Sequence, residues 1–475
     1  MRFFCAALAC AVLFVGRPAI AVERIDLKVL YAGCPESERL KDFQSFLEEH
    51  FAQVAIGDMS KLREEDAAKH DIVIFDWQET FDDRTGRLDP QRRLQNPLRL
   101  SDQFDRPAVL IGETGGRVTA FLKLKLDYLC LCLADAGHHL AIDHEVFHKP
   151  LKVAPEFEDV ETPEDYRFMT LEKLGPKMTV WKTQTRTWPE VDPGLVHSLY
   201  GFADSPDCEV FARGMCMKGP DSVALGRQAN LFHWGFSAKP SDMTPSARRL
   251  FINAICYIHK FTGNKPAVKK VARAREWALR DAQTPAFMSA EYVQVEERRL
   301  RRELHQHPGW IPEKFQGDAD RYVEDYLTRS RQNNGKFFEE SQPADLRLRF
   351  GKDAAKFTEY YRTNFEYLRP QDDKSREYEF AVDEDVKSLG LSNRTIQLLE
   401  RCINLLEQDD RSELALRILK RYTNEKFDTA DQWRSWMNAC RDQIFFTDAG
   451  GYKFLVADPA LQSGKLGRAQ SGATK

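Results

Sequence analysis

Between Asp26 and about Gly263, short β-branched runs alternate with longer amphipathic ones, the pattern of an α/β domain built on a mostly parallel sheet. Leu27–Tyr31 predicts an opening strand. After Gly33-Cys34-Pro35, apolar Leu40, Phe43, Leu47 and Phe51 recur at helical spacing and predict a helix packed on that strand. Further strands are expected at Val54–Ile56, Asp71–Phe75 and Ala108–Ile111, the last running directly into Gly112-Glu113-Thr114-Gly115-Gly116. From about Leu140 to Val210 many Pro, Asp and Glu residues interrupt the pattern, and irregular insertions are expected around a strand at Met178–Trp181. Regularity returns at Asp221–Arg227 and Ala229–Phe236, read as a hairpin ending in a core strand. Thr244 then caps a closing helix with Pro245 at its first position and Ala247, Phe251, Ala254 and Ile258 on one face.

Residues 264–289 read as a basic, helical connector, and residues 290–457 as an all-α domain of charged amphipathic helices with few strand signals. Helices are predicted at Val293–Glu303, Asp320–Arg329, Ala354–Tyr367, Asn393–Glu407, Glu413–Tyr422 and Ala430–Gln443. The last opens on a capping box, Thr429 with Gln432, and its stripe of Trp433, Trp436, Met437 and Cys440 is core-facing. Paired helices suggest a bundle or helical-repeat module, for which a protein-interaction role is expected. Residues 458–475 are rich in Gly, Ser and Ala and predict a disordered tail.

The N-terminus sets the compartment. Arg2, the apolar run Phe3–Gly16 and the small-x-small site Ala19-Ile20-Ala21 form a cleavable signal peptide over residues 1–21, so the chain is expected to be exported, periplasmic or extracellular. No later run reaches the roughly 18 consecutive apolar residues of a membrane helix, and no membrane span is expected after cleavage. Loss of Arg2 and Arg17 from 69 Lys and Arg leaves 67 against 73 Asp and Glu, net −6, which argues against nucleic acid as the main partner. Cys5 and Cys10 leave with the leader. Of the eight remaining cysteines, Cys208 and Cys216 are close enough in sequence to close a small disulfide loop, while Cys256 and Cys402 read as buried hydrophobes.

The first half of the chain resembles the ThuA-like (trehalose-utilisation) branch of the class I glutamine amidotransferase-like fold, a flavodoxin-like α/β architecture. The resemblance rests on the Leu27–Gly33 strand and turn, the Ile111–Gly116 turn and the closing segment from Gly226-Arg227 to Tyr257, and it implies residues 22–263 as one domain. Active amidotransferases of this fold carry a Gly-x-Cys-x-Gly elbow. Gly112-Glu113-Thr114-Gly115-Gly116 stands there, so Thr114 replaces the nucleophilic cysteine, and no His-x-Glu follows to activate it. Glutamine hydrolysis is therefore not expected. Gly235-Phe236 also stands where the ThuA-like branch carries Gly-His.

Candidate chemistry gathers at four places. Thr114, Glu113 and Cys34 are the catalytic candidates, Cys34 because it lies at the carboxyl edge of the sheet, where open α/β folds place their sites, and where a helix N-terminus lowers a thiol pKa; the glycines Gly112, Gly115 and Gly116 would let a ligand approach the backbone, against the plainer reading of tight strand–helix packing. Asp204 and Asp207, in the aromatic-rich loop Tyr200–Glu209, suit a sugar site or a turn about equally. Arg227 and His233 lie near the closing hairpin, and His233 in a strand is more often a core residue. His139, His144 and His148 offer imidazoles for a divalent metal at spacings that match no standard zinc pattern; no other cofactor is expected. The leading expectation is a small polar, carbohydrate-derived ligand bound without catalysis. Alternatives are a glycan hydrolase or isomerase using Glu113, Asp204 and Asp207 as acid and base, and a structural protein with no ligand.

Overall fold

The computed structural model describes residues 24–77, 81–82, 87–88, 98–119, 121–126, 130–188, 190–372 and 376–458, with the side chains of 81–82, 87–88, 114–116 and 130 outside that description. The expected signal peptide and nearly all of the expected tail lie outside the described residues.

The α/β part runs β1 (Ile25–Gly33), α1 (Glu38–His50), β2 (Phe51–Asp58), α2 (Glu64–Ala67), β3 (Ile72–Phe75), a two-residue pair β4 (Phe81–Asp82) and β5 (Arg87–Leu88), β6 (Ala108–Ile111) and α3 (Glu113–Thr119). It continues through β7 (Cys130–His138), β8 (Phe157–Glu161), β9 (Lys177–Lys182), β10 (Gly194–Ser198), β11 (Cys208–Cys216), β12 (Ser222–Gln228), β13 (Leu231–Trp234) and α4 (Pro245–His259). One eleven-stranded sheet results, in the order β2-β1-β3-β6-β13-β12-β10-β7-β9-β8, with β11 pairing both β12 and β7. Its first five strands are parallel. The rest pair antiparallel, an extension whose β8, β9 and β10 come from the stretch where the sequence predicts irregular insertions, with β7, β11 and β12 flanking it.

The parallel half is buried on both faces. Val29, Tyr31, Ile72, Ile74, Val109 and Ile111 pack against α1 and α4, whereas Leu30, Ala32, Val73, Phe75, Ala108 and Leu110 pack against Leu98, Phe104, Val118 and Leu126. Consecutive residues thus face opposite layers, and both layers are apolar, which is why these strands read as unbroken hydrophobic runs. The Thr244 hydroxyl accepts the Ala247 N–H and Pro245 opens α4, as the pattern predicts.

The helical part contains α5 (Glu276–Asp281), α6 (Ala290–Gln306), α7 (Ala319–Ser341), α8 (Ala344–Phe350), α9 (Ala354–Thr363), β14 (Leu368–Pro370), β15 (Phe380–Val382), α10 (Glu384–Lys387), α11 (Ile396–Glu407), α12 (Ser412–Tyr422), α13 (Ala430–Cys440), β16 (Ile444–Thr447) and β17 (Lys453–Val456). It has its own apolar cluster, including Phe357, Leu399, Ile418 and Trp433. Trp433 is fully buried, the core position its stripe predicts, and the Thr429–Gln432 capping box is present. Two small hairpins, β14–β15 and β16–β17, interrupt the expected run of helices. The connector is only partly helical, because residues 264–274 run outside helices before α5 begins. No helix of the described residues is long and apolar enough to cross a membrane.

Cys208 and Cys216 occupy opposite ends of the nine-residue strand β11, about 26 Å apart at 3.3 Å per residue. The small disulfide loop expected from their spacing is therefore excluded, and both thiols are free.

Candidate functional site

The carboxyl edge of the parallel strands is the first place to look for a ligand in an open α/β sheet. Gly112 leaves β6 with φ +51°, donates its N–H to the Trp234 carbonyl at 2.8 Å, and starts α3 at Glu113. The strand–glycine–helix elbow is thus real in backbone terms, with Thr114, Gly115 and Gly116 in the first turns of α3; the Thr114 side chain is outside the described residues. The crevice beside it measures only about 20 Å³, room for about one water. Charge fills it: Arg39 donates to Asp76 at 2.7 and 3.1 Å and to the Ser237 carbonyl at 2.6 Å, Tyr31 donates to the same carboxylate, and Glu113 pairs with Arg117 at 2.6 Å. Cys34 is exposed, but burial of its thiol group together with the Asp58 and Asp76 carboxylates raises its pKa, opposite to what a nucleophile requires.

The aspartates of the aromatic loop are structural. Asp204 accepts from Lys125 Nζ, from Thr447 Oγ1 at 3.0 Å and from the Ala449 N–H at 2.9 Å. Asp207 accepts from Ser205 Oγ at 2.6 Å and from the Ala267 N–H at 2.8 Å. Together they tie the loop to the connector and to the β16–β17 turn, so of the two even readings, sugar contact or turn, the fixed turn describes them better. Arg227 is likewise held, by Glu209 at 2.5 Å, the Ala229 carbonyl at 2.8 Å and the Phe261 ring at 3.7 Å. Against the opposing effect of burial, the His144 hydrogen bond, the Arg227 charge and the bonds from Tyr257 and Arg227 hold Glu209 at a pKa of about 2.

The histidines do not converge either. His138 and His139 face each other through their Nδ1 atoms at 2.6 Å, His144 caps a short turn and approaches Glu209 at 3.5 Å, and His148 is exposed. Among the described residues no three His, Cys, Asp or Glu side chains are placed to share a metal ion, so the His139, His144, His148 set expected for a divalent metal is not assembled.

What the structure does build is a cavity of about 330 Å³ between the antiparallel half of the sheet and helices α5–α7. The sheet contributes His197 and Ser198 from the end of β10, then Tyr200, and the Met217–Ser222 turn that joins β11 to β12. The helical side contributes Trp277 and Arg280 of α5, then Thr284 and Phe287, Tyr292 of α6, and Asn334 and Phe337 of α7. Trp277 meets Tyr200 edge-on at 5.2 Å, and Tyr292 meets Phe287 at 4.9 Å, so the walls are aromatic and stiff.

Among the described residues, the Arg280 guanidinium and the His197 ring have no hydrogen-bond partner. Arg280 stacks on the Phe287 ring at 4.8 Å, yet it has no hydrogen-bond or ion-pair acceptor among the described residues. The carboxylates nearest in charge are already engaged, Asp281 by Arg273 at 2.7 Å and Asp221 by the Tyr200 hydroxyl at 2.6 Å. Burial consequently lowers the Arg280 pKa. His197 is 1% exposed, and neither ring nitrogen has a partner; its ring packs on His233 at 4.1 Å, and burial holds its pKa well below the ordinary value. His233 is a core residue, as its strand position suggests, with Nε2 at 3.1 Å from the Leu195 carbonyl. Of the described candidate site residues named from sequence, His233 approaches this cavity, through His197, and Tyr200 of the loop that carries Asp204 and Asp207 lines it.

Buried neutral histidines have a cost in acid. Burial depresses His233 to about 3 and His138 to about 4 from an ordinary 6.5. Each binds its proton only after unfolding, so stability is complete above about pH 6.5 and falls as the pH drops toward those values, by about 1.4 kcal/mol per pH unit for each group. Urea midpoints between pH 7 and pH 5 should fall accordingly, and less steeply in His233→Leu; an identical slope in that variant would exclude the assignment.

Sequence comparison names no family. No family model matches the chain, and no curated protein does. Among solved structures the chain is similar to a putative ThuA-like protein from Bacteroides uniformis ATCC 8492, at 12% identity and a TM-score of 0.24, over 51% of this chain and 95% of that one. At that identity and TM-score the likeness bears on neither the fold nor the site.

Proposed function

We propose that this chain binds a small polar ligand carrying an anionic group, held in the cavity between the sheet and α5–α7. The observation that carries the reading is Arg280, a guanidinium facing a cavity whose nearby carboxylates are already taken. A ligand carboxylate or phosphate would complete it with charge-assisted, bidentate N–H···O bonds. His197, neutral and unpartnered, can donate from one ring nitrogen and accept at the other, and Trp277 and Tyr292 offer flat apolar faces suited to the C–H face of a sugar ring. A sugar acid or sugar phosphate is the class these groups favour. The carbohydrate-derived ligand expected from sequence is thereby kept, but moved from the crowded sheet edge to the cavity under the helices. The helical part, expected to be an interaction module, would supply one wall of the site. The hydrolase alternative gains no support from Glu113, Asp204 and Asp207, each of which is spent on fixed bonds.

The test is a thermal-shift panel of glucose, glucuronate, glucose 6-phosphate and inorganic phosphate. A ligand at a hundred times its Kd stabilises by about 2.7 kcal/mol, so at least one anionic sugar should raise Tm clearly above the effect of glucose. Equal shifts with glucose, or none with any member, would overturn the reading. Export is part of the proposal, and N-terminal sequencing of the secreted chain should begin at Val22; a protein retaining Met1–Ala21 would remove that part.

A further inference from the structure

A second cavity, of about 320 Å³, lies on the other side of Met217, between β7, β11 and α6. Cys132 of β7 and Cys216 of β11 both line it. The two strands are antiparallel neighbours, and the register sets Cys216 opposite Leu133, one residue from Cys132. Both thiols belong to one packed cluster, Cys216 buried and Cys132 half-buried. Cys216 is held in place from several sides. Its N–H donates to the Tyr166 hydroxyl and its carbonyl accepts from it, each at 2.9 Å, and its thiol donates to the Gly219 carbonyl at 3.2 Å. The Cys132 thiol is its hydrogen-bonding neighbour, and that contact, more than any other, lowers the Cys216 pKa to about 7 against the effect of burial. A thiol so placed supplies thiolate near neutral pH, with a second sulfur beside it to resolve a mixed disulfide.

We propose that Cys132 and Cys216 are a reversible dithiol–disulfide pair, closed by exchange with a small disulfide that enters the cavity they line. The Cys216 thiolate attacks one sulfur of the disulfide RSSR, forming a Cys216–SR bond and expelling RS⁻. The Cys132 thiolate then attacks the Cys216 sulfur, closing the Cys132–Cys216 bond and expelling the second RS⁻. The protein loses two electrons and the two thiol protons, and RSSR gains both as two RSH. The other cysteines whose side chains are described move the opposite way: Cys208, Cys256 and Cys402 are pushed up to about 12, chiefly by burial, and Cys34 and Cys440 are raised as well.

The experiment treats the folded full-length chain with oxidised glutathione, alkylates the remaining thiols, and maps disulfide-linked peptides by mass spectrometry. The expected result is a Cys132–Cys216 link that forms at neutral pH, reverses with dithiothreitol and persists in Cys130→Ser. In Cys132→Ser the link should vanish, leaving Cys216 as a mixed disulfide with glutathione. Full alkylation of both thiols in the treated wild-type chain, or a Cys216 link that survives Cys132→Ser, would overturn the proposal. The wild-type measurement stands without either variant, so misfolding of a variant does not decide the matter.

Discussion

Replacing Arg275 with methionine should destabilise the chain by about 3–5 kcal/mol, the range for breaking a buried ion pair from one side. Arg275 stands just ahead of α5 with its side chain 1% exposed. Its Nε and Nη2 donate to the two carboxylate oxygens of Asp448 at 2.9 and 2.7 Å, its own N–H donates to Asp448 at 2.9 Å, and Nη1 donates to the Phe365 carbonyl at 3.1 Å. The rings of Phe446 and Tyr452 flank the guanidinium at 5.6 and 5.3 Å. Methionine fills most of that volume but strips the Asp448 carboxylate of its guanidinium, leaving it the main-chain N–H of residue 275, and takes one donor from the Phe365 carbonyl, which keeps the Leu368 N–H; the uncompensated charge is the larger loss. Asp448 lies in the β16–β17 turn, whose Thr447 and Ala449 also bind Asp204. The same substitution therefore loosens the hold of the C-terminal hairpin on the sheet. Urea unfolding followed by tryptophan fluorescence measures the effect, and a double variant with Asp448→Leu should recover part of it because the stranded charge is removed. A single variant within about 0.5 kcal/mol of wild type, the usual spread of a surface change, would mean that the pair is not buried as described.

The contrast between Arg275 and the residues visible in the sequence explains how far a sequence reading reaches. Ile72–Phe75 and Ala108–Ile111 were legible because burial on both faces makes a strand apolar throughout, and α4 because Thr244 and Pro245 carry its start locally. The antiparallel extension was legible only at Met178–Trp181 and Asp221–Arg227, which are β9 and β12. β7 reads Cys-Leu-Cys-Leu-Ala-Asp-Ala-Gly-His, poor in β-branched residues, and it is a strand because β9, β10 and β11 all pair with it. Local signals also misdirect where partners are remote. Asp204 sits among aromatics like a ligand contact, yet it is engaged by Lys125 and by Thr447 and Ala449, up to 245 residues away. The cavity draws on β10, the β11–β12 turn, α5, α6 and α7, and no spacing encodes that convergence. The one local hint was in the connector: Trp277 and Arg280 are three apart, so they share a helix face, and a basic helical segment with an aromatic on the same face need not be a solvated surface.

Arg280→Met should cut affinity for the stabilising anionic sugar by about 30-fold or more, the loss expected when one side of a buried charge-assisted contact, worth at least 2 kcal/mol, is removed. Unlike Arg275→Met, it should not weaken the ligand-free protein. In that state the Arg280 charge is desolvated by burial, with no acceptor among the described residues to offset the cost, so an uncharged side chain of similar length should leave stability unchanged or raise it by about 1 kcal/mol. The two arginines thus make opposite predictions from one chemistry: where the carboxylate is supplied by the chain, removing the guanidinium costs folding, and where a ligand must supply it, removal costs binding. Arg280→Lys keeps the charge but not the planar fork, and should retain part of the affinity if the ligand anion is held bidentately. Titration calorimetry on the wild type and both variants, beside their urea midpoints, separates the cases. A loss of stability in Arg280→Met comparable to that of Arg275→Met would make Arg280 a structural residue and leave the cavity without its anion-binding group; binding lost with stability intact is the behaviour of a site built to receive a charge from outside.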